Sequence, residues 1–188
     1  LGMTGFIEWR AMIRALTEDD LDAYIALRQR ALRECPLAFG SSPENDFASS
    51  HDTLRPQIAR APDWMIFGAF DGGTLAGAVG VFRMHHAKSA HWLELWGMYV
   101  APEHRGRGWG ARLLDAAIVH ARGMSDVAWI ELGVTAAPED ARRLYERAGF
   151  TIWGTQPEAL RYEGHVVDQH YMALRLRSGQ ALRLRILS

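Results

Sequence analysis

"YVAPEHRGRGWGARLL", residues 99–114, places Gly106, Gly108 and Gly110 at alternate positions between an apolar run and a segment with helical spacing. Glycine lowers helix propensity and loses more backbone freedom on folding than any other residue. Three so close together imply left-handed torsions or a close approach of the backbone to something else. A tight turn with solvated arginines needs fewer glycines. A dinucleotide-binding turn is matched by Gly106, Gly108 and Ala111 as G-x-G-x-x-A, with Glu131 where a ribose-binding acid would fall. That turn, however, needs its first glycine where the strand stops, and "APEHR" separates Val100 from Gly106. A pyrophosphate cradle, made of successive backbone N–H groups at a helix N-terminus with arginines nearby, accounts for all the glycines.

Working outward, Leu113, Leu114, Ala117, Ile118 and Ala121 recur at helical spacing after the loop. The runs "HWLELWGMYV" (91–100) and "VAWIELGV" (127–134) flank that helix as strands, and a helix joining two strands of one sheet makes them parallel. Upstream, "WMIFGAFDGGTLAGAVGVFRM" (64–84) reads as an antiparallel hairpin turning at "DGG". "MIRAL" (12–16) alternates like a strand. Thr17 with Asp20 then offers a helix N-cap, Leu21, Tyr24, Ile25 and Leu32 make an apolar stripe, and Pro36 ends the helix. "LAFGSSPENDFASS" (37–50) is a loop, and "TLRPQIARA" (53–61) predicts a short helix with Pro56 in its first turn.

"PEDARRLYERAGF" (138–150) is the best-marked helix, with Pro138 first, Glu139 and Asp140 in the opening turn, arginines later and Gly149 past the end. "FTIWGT" (150–155) and "VVDQHYMALRL" (166–176) close the sheet. The expected fold is α/β: a mixed central sheet, mostly antiparallel with one parallel βαβ crossover, and helices on both faces. Residues 1–176 form one domain, and 177–188 form either an extra edge strand or a tail.

Composition bounds the function. The chain has 188 residues, 48% of them hydrophobic, enough for one cored domain. A formal net charge of −1 gives no global field toward nucleic acid or an anionic membrane. The single cysteine, Cys35, excludes an intramolecular disulfide framework and fits a cytoplasmic location. No window reaches the roughly 18 uncharged apolar residues of a spanning helix, so a membrane protein is not expected.

The run "MYVAPEHRGRGWGARLL" resembles the acyl-CoA signature of the GNAT superfamily of N-acetyltransferases, with Arg105, Gly108 and Gly110 filling its pattern. "LGVTAAPEDARRLYERAGF" is similar to the family's second signature, an apolar strand followed by a helix containing Leu-Tyr-Glu and ending in Gly-Phe. The resemblance covers about residues 11 to 176, counting "MIRALTEDD" and "ALRYEGHVVDQHYMALRL" as first and last elements. It implies acetyl-CoA as cosubstrate and a small-molecule or protein amine as acceptor. Met98, Tyr99 and Val100 would pair with the pantetheine arm, and the backbone from Arg105 through Gly106, Arg107, Gly108 and Trp109 to Gly110 would hold the pyrophosphate. Trp109 would cover the helix start or lie against the cofactor.

Transfer to an amine needs that amine neutral and the leaving thiolate protonated. The resemblance assigns the proton donor to Tyr145, although Ala141, Leu144, Tyr145 and Ala148 share one helix face and a core tyrosine would look the same. It places the general base at Glu94. On a regular strand Glu94 shares a face with Trp96 and Met98, so it also fits a half-buried acid paired with an arginine.

Two positions depart from the family. Gly133 stands where ribosomal-protein-type members carry a glutamate, which weakens a peptide N-terminus as acceptor, and Pro138 replaces an asparagine that contacts the cofactor. Phe39 and Tyr162 are the expected acceptor-wall residues, and a homodimer is plausible from the family. "HVVDQH" (165–170) is not a metal site, because alternation puts Asp168 and His170 opposite His165. Cys35 has no evident activating partner, so direct transfer in a ternary complex is expected over an acyl-enzyme. A non-catalytic acyl-CoA sensor and a NAD-dependent oxidoreductase remain the alternatives.

Overall fold

The computed structural model describes residues 12–137 and 139–176. Pro138 and the 177–188 segment lie outside the described residues. Seven strands form one sheet: β1 (Met12–Ala15), β2 (Trp64–Asp71), β3 (Thr74–Arg83), β4 (Trp92–Val100), β5 (Trp129–Thr135), β6 (Thr151–Tyr162) and β7 (His165–Arg175). Their spatial order is β1-β2-β3-β4-β5-β7-β6, and β4–β5 is its parallel pair. The crossover helix, α3 (Trp109–Gly123), joins those two strands as the sequence predicts.

Two apolar clusters hold the helices to opposite faces. On one face Leu113, Leu114, Ala117, Ile118 and Ala121 of α3, with Tyr145 of α4 (Glu139–Arg147), pack onto Leu93, Leu95, Ile130, Leu132 and Met172. On the other, α1 (Leu21–Glu34) and α2 (His51–Ile58) bring Leu21, Tyr24, Leu27, Ala31 and Leu54 against Trp64, Ile66, Phe70 and Tyr99. Burying such side chains stabilises the fold by about 1.5–3 kcal/mol each.

Three local features differ from the sequence reading. Helix α2 starts at His51, because Ser50 accepts the Thr53 N–H at 3.3 Å and caps it there, so Pro56 falls in the second turn. Strand β6 continues past "FTIWGT" to Tyr162, with a register break between Gln156 and Leu160 around Pro157, which has no N–H to give the ladder. The break is closed by the Glu158 N–H, which donates to Asp168 Oδ1 at 2.8 Å.

The third is in β4. Gly97 takes a φ of +65°, and the β3–β4 register shifts between Ala78 and Gly80. This bulge inverts the alternation: Leu93 and Leu95, then Met98 and Val100, face the α3 cluster, while Tyr99 faces the α1 cluster. Glu94 and Trp96 therefore share a face, and Met98 does not join them. Gly80 has no side chain because the Trp96 indole occupies the space its Cβ would need.

Candidate active site

Strands β4 and β5 pair only from Trp92/Trp129 to Glu94/Glu131, then separate. The bulge at Gly97 turns β4 away, so beyond Glu94 its backbone groups on that edge face open space instead of β5. A cleft of about 800 Å³ fills the fork. Its walls are Leu95 to Val100 of β4, Gly133 to Thr135 of β5, Cys35 to Phe39 after α1, and Ala141, Leu144 and Tyr145 of α4. Unpaired strand edges of this kind accept an extended ligand as an added strand.

At the wide end, β4 runs into a 3-10 turn, Pro102–His104, and then the glycine loop. Gly106 and Gly108 adopt φ of 75° and 76°, torsions that cost an L side chain about 1–2 kcal/mol. Gly108 is the N-cap of α3, so the first N–H groups of the helix have no helical acceptor. Arg105, Gly106, Gly108, Trp109, Gly110 and Ala111 all line the cleft here. Gly110 also admits Leu144 of α4, whose Cδ2 stands 3.4 Å from where a Cβ would be. Orphan donors at a helix N-terminus suit a pyrophosphate, and the residues fit one without side-chain help.

The loop is braced from two sides. Asp71, at the β2–β3 turn, accepts from Arg107 at 2.6 Å and contacts His104 Nδ1 at 3.1 Å. Arg107 is thereby turned away from the cleft lining, whereas Arg105 lines it and donates from Nε to the Val100 carbonyl at 2.9 Å. On the α1 side the Tyr99 hydroxyl donates to Glu34, Arg30 bonds Glu34 at 2.7 Å, and the same Arg30 makes paired bonds to Glu103 at 2.6 and 2.8 Å.

Tyr145 lines the cleft with its ring buried edge-on against Phe150, centroids 5.9 Å apart. No described residue hydrogen-bonds its hydroxyl, and burial pushes the phenol pKa well above its ordinary value, so the group holds its proton. Glu94 lies just before the lining stretch, side by side with Glu131 across the last paired row. Burial first, and the Glu131 charge second, push the Glu94 carboxyl up; burial alone raises Glu131. Neither carboxylate has an arginine or lysine partner among the described residues.

Met98, Tyr99, Val100 and Phe39 all line the cleft; Trp109 forms its floor with an indole buried in the α3 core. Tyr162 stands apart, 42% exposed, beside a separate cavity of about 190 Å³ next to Ser41, Pro43 and Glu44. The lone Cys35 lines the cleft, half-buried. No group of three His, Cys, Asp or Glu residues suited to a metal occurs among the described residues; Asp168 and His170 are engaged by the Glu158 N–H and by Thr155.

Sequence reasoning missed the Gly97 bulge, the Asp71 brace and Thr135, buried at the end of β5. A glycine inside the apolar strand "HWLELWGMYV" is the signal that could have found the bulge. It also missed Arg28, buried on α1. Arg28 pairs with Asp46 at 2.8 and 3.0 Å, bonds Ser41, and stacks 4.7 Å from the centre of the Phe39 ring.

Comparison with known proteins agrees with this geometry. Residues 22–150 match the sequence model described as the acetyltransferase (GNAT) family. The chain is 32% identical over 148 residues to a mycothiol acetyltransferase of Propionibacterium freudenreichii subsp. shermanii; the match takes in 73% of this chain and 42% of that protein. It therefore spans less than half the length of that curated relative. A ribosomal-protein-alanine N-acetyltransferase from Brucella melitensis superposes with a TM-score of 0.77 at 27% identity, covering 88% of this chain and 99% of that one. A Salmonella typhimurium protein solved with its cofactor acetyl-CoA shares the fold with a TM-score of 0.80 at 20% identity, covering 92% and 97%.

Proposed function

The chain belongs to the GNAT acetyltransferase family, and from that premise we propose that it moves an acetyl group from acetyl-CoA to a primary amine by direct transfer in a ternary complex. The observation that carries the proposal is the open β4–β5 fork, which leads from a left-handed glycine loop at a helix N-terminus to the unpartnered Tyr145 hydroxyl. The loop N–H groups between Arg105 and Gly110 hold the pyrophosphate. The free edge of β4 at Met98 to Val100 pairs with the pantetheine arm, and the thioester stops between β4 and Tyr145.

Glu94 takes the proton of the acceptor ammonium, and burial with the neighbouring Glu131 charge makes its carboxylate a stronger base than an exposed one. The amine nitrogen then attacks the thioester carbonyl; as the tetrahedral intermediate collapses the C–S bond breaks, Tyr145 donates its phenolic proton to the leaving thiolate, and the proton lost from the new amide nitrogen restores the phenol. Cys35 is not needed as a nucleophile in this scheme.

Thermal melting with acetyl-CoA, CoA and NADH, each alone, tests the cradle. Ligand at 100 times its dissociation constant adds about 2.7 kcal/mol and raises the melting temperature by several degrees. A rise with both CoA species and none with NADH is expected. A rise with NADH alone refutes the reading and restores dinucleotide binding.

A further inference from the structure

Where the family's ribosomal-protein-type members carry a glutamate, Gly133 carries nothing, and the vacated space is taken from the neighbouring strand. The Gln169 carboxamide lies over Gly133, with Nε2 inside the volume a Gly133 Cβ would fill. Resting on the acetyltransferase reading above, we propose that Gln169 is the residue that reads the acceptor, hydrogen-bonding a neutral hydroxyl or amide beside the amine that is acetylated.

The placement follows from register. Ile130, Leu132 and Val134 of β5 and Met172 of β7 pack into the α3 core. Glu131, Gly133 and Gln169 therefore face the other way, toward the α1 side, where Glu94 and Trp96 also point. Gln169 pairs with Thr135 on one neighbour and Gln156 on the other, and Gly133 pairs with Tyr171. The 3-10 turn Pro36–Ala38, which Phe39 follows, packs against β5 and β6, and Gln169 lies over Gly133, itself part of the cleft wall.

Its neighbours are already engaged. The Tyr171 hydroxyl donates to Gln156 Oε1 at 2.8 Å, whereas the half-buried Gln169 carboxamide has no hydrogen-bond partner among the described residues. A primary amide offers two donors and an oxygen acceptor and no charge. It matches a group that both gives and receives a hydrogen bond, such as a hydroxyl or an amide. An acceptor carboxylate would meet the unneutralised Glu94 and Glu131 on the same face, whereas a hydroxyl or amide meets the carboxamide without a charge penalty. Gly133 lies two residues beyond Glu131, roughly 7 Å along the strand. The amine is thus read at the carboxylate row and its polar neighbour one row further on.

The test compares glucosamine, a hydroxylated amine, with spermidine, whose substituents are further amines, at saturating acetyl-CoA with detection of released thiol. Gln169→Leu should raise KM for glucosamine about tenfold, the worth of one hydrogen bond. KM for acetyl-CoA and for spermidine should stay unchanged. No acetylation of either amine by protein that melts higher with acetyl-CoA, an unaltered glucosamine KM in Gln169→Leu, or an equal rise in KM for both amines each overturns the assignment. Protein whose melting does not respond to acetyl-CoA at all overturns the acetyltransferase reading itself, and this assignment with it.

Discussion

Glu94 and Glu131 are cross-strand partners in the last row that β4 and β5 share, so two half-buried carboxylates without a countercharge sit side by side at the fork of the sheet. Removing Glu131 relieves Glu94. Because both are raised in the folded protein, the fold binds protons that the unfolded chain has already released. Their stabilising contribution is complete below the ordinary glutamate pKa and is lost as pH rises through the raised values. Glu131→Gln should therefore raise the melting temperature at pH 7 and leave it unchanged at pH 4. If Glu94 is the base, the acidic limb of kcat/KM should also shift to lower pH, because the repelling charge is gone. A limb that stays in place would remove Glu94 from that role.

Tyr145→Phe keeps the buried ring and its edge-on contact with Phe150 and deletes only the hydroxyl. General acid catalysis is worth about 10²–10⁴-fold. A fall of that size in kcat is expected, with KM for acetyl-CoA and the melting temperature unaltered. Equal activity in the variant would return Tyr145 to a purely structural place in the α4 core.

The strands along the chain, the crossover and the glycine loop were legible because each rests on a local signal, whereas the placing of β7 between β5 and β6 was not read. Continuous apolar runs mark β2 to β5, and the 3.6-residue recurrence of Leu113, Leu114, Ala117, Ile118 and Ala121 marks α3. What escaped depends on partners distant in sequence. Arg28 looks like a surface residue of α1 until Asp46, from the following loop, buries it. The face reached by Met98 turns on one left-handed residue, Gly97, and no count along a regular strand anticipates that inversion. Gln169 gains its position only because Gly133, on another strand, is empty. Tyr162 was placed by family pattern, and the length of β6 carries it out of the large cleft.

Gly108 holds the α3 N-terminus open at a φ of 76°, with free space around its missing side chain. The expected cost of Gly108→Ala is therefore torsional, about 1–2 kcal/mol, with no clash added. If the loop amides bind the pyrophosphate, shifting them should weaken acetyl-CoA far more than it weakens the fold. Isothermal titration should show at least a tenfold loss of affinity for CoA. Retained affinity alongside a lowered melting temperature would separate the loop from cofactor binding.

The pair formed by Arg28 and Asp46 is the buried charge nearest the acceptor wall, with side-chain exposures of 6% and 0%. Burial works to raise the Asp46 carboxyl, but hydrogen bonds from Arg28, Ser41 and Ser49 outweigh it and hold the group below its ordinary pKa. Its contribution is thus present above that ordinary value and lost as pH falls through the depressed one. Asp46→Ala strands the guanidinium between Phe39 and Trp96 and should cost about 3–5 kcal/mol by chemical denaturation. Replacing both members, Arg28→Met with Asp46→Leu, should recover most of that loss, since paired buried charges and apolar substitutes of similar volume differ little in net stability. A double variant as unstable as Asp46→Ala would mean that Arg28 serves the fold through its bond to Ser41 and its stacking on Phe39, and the charge pair itself would contribute little.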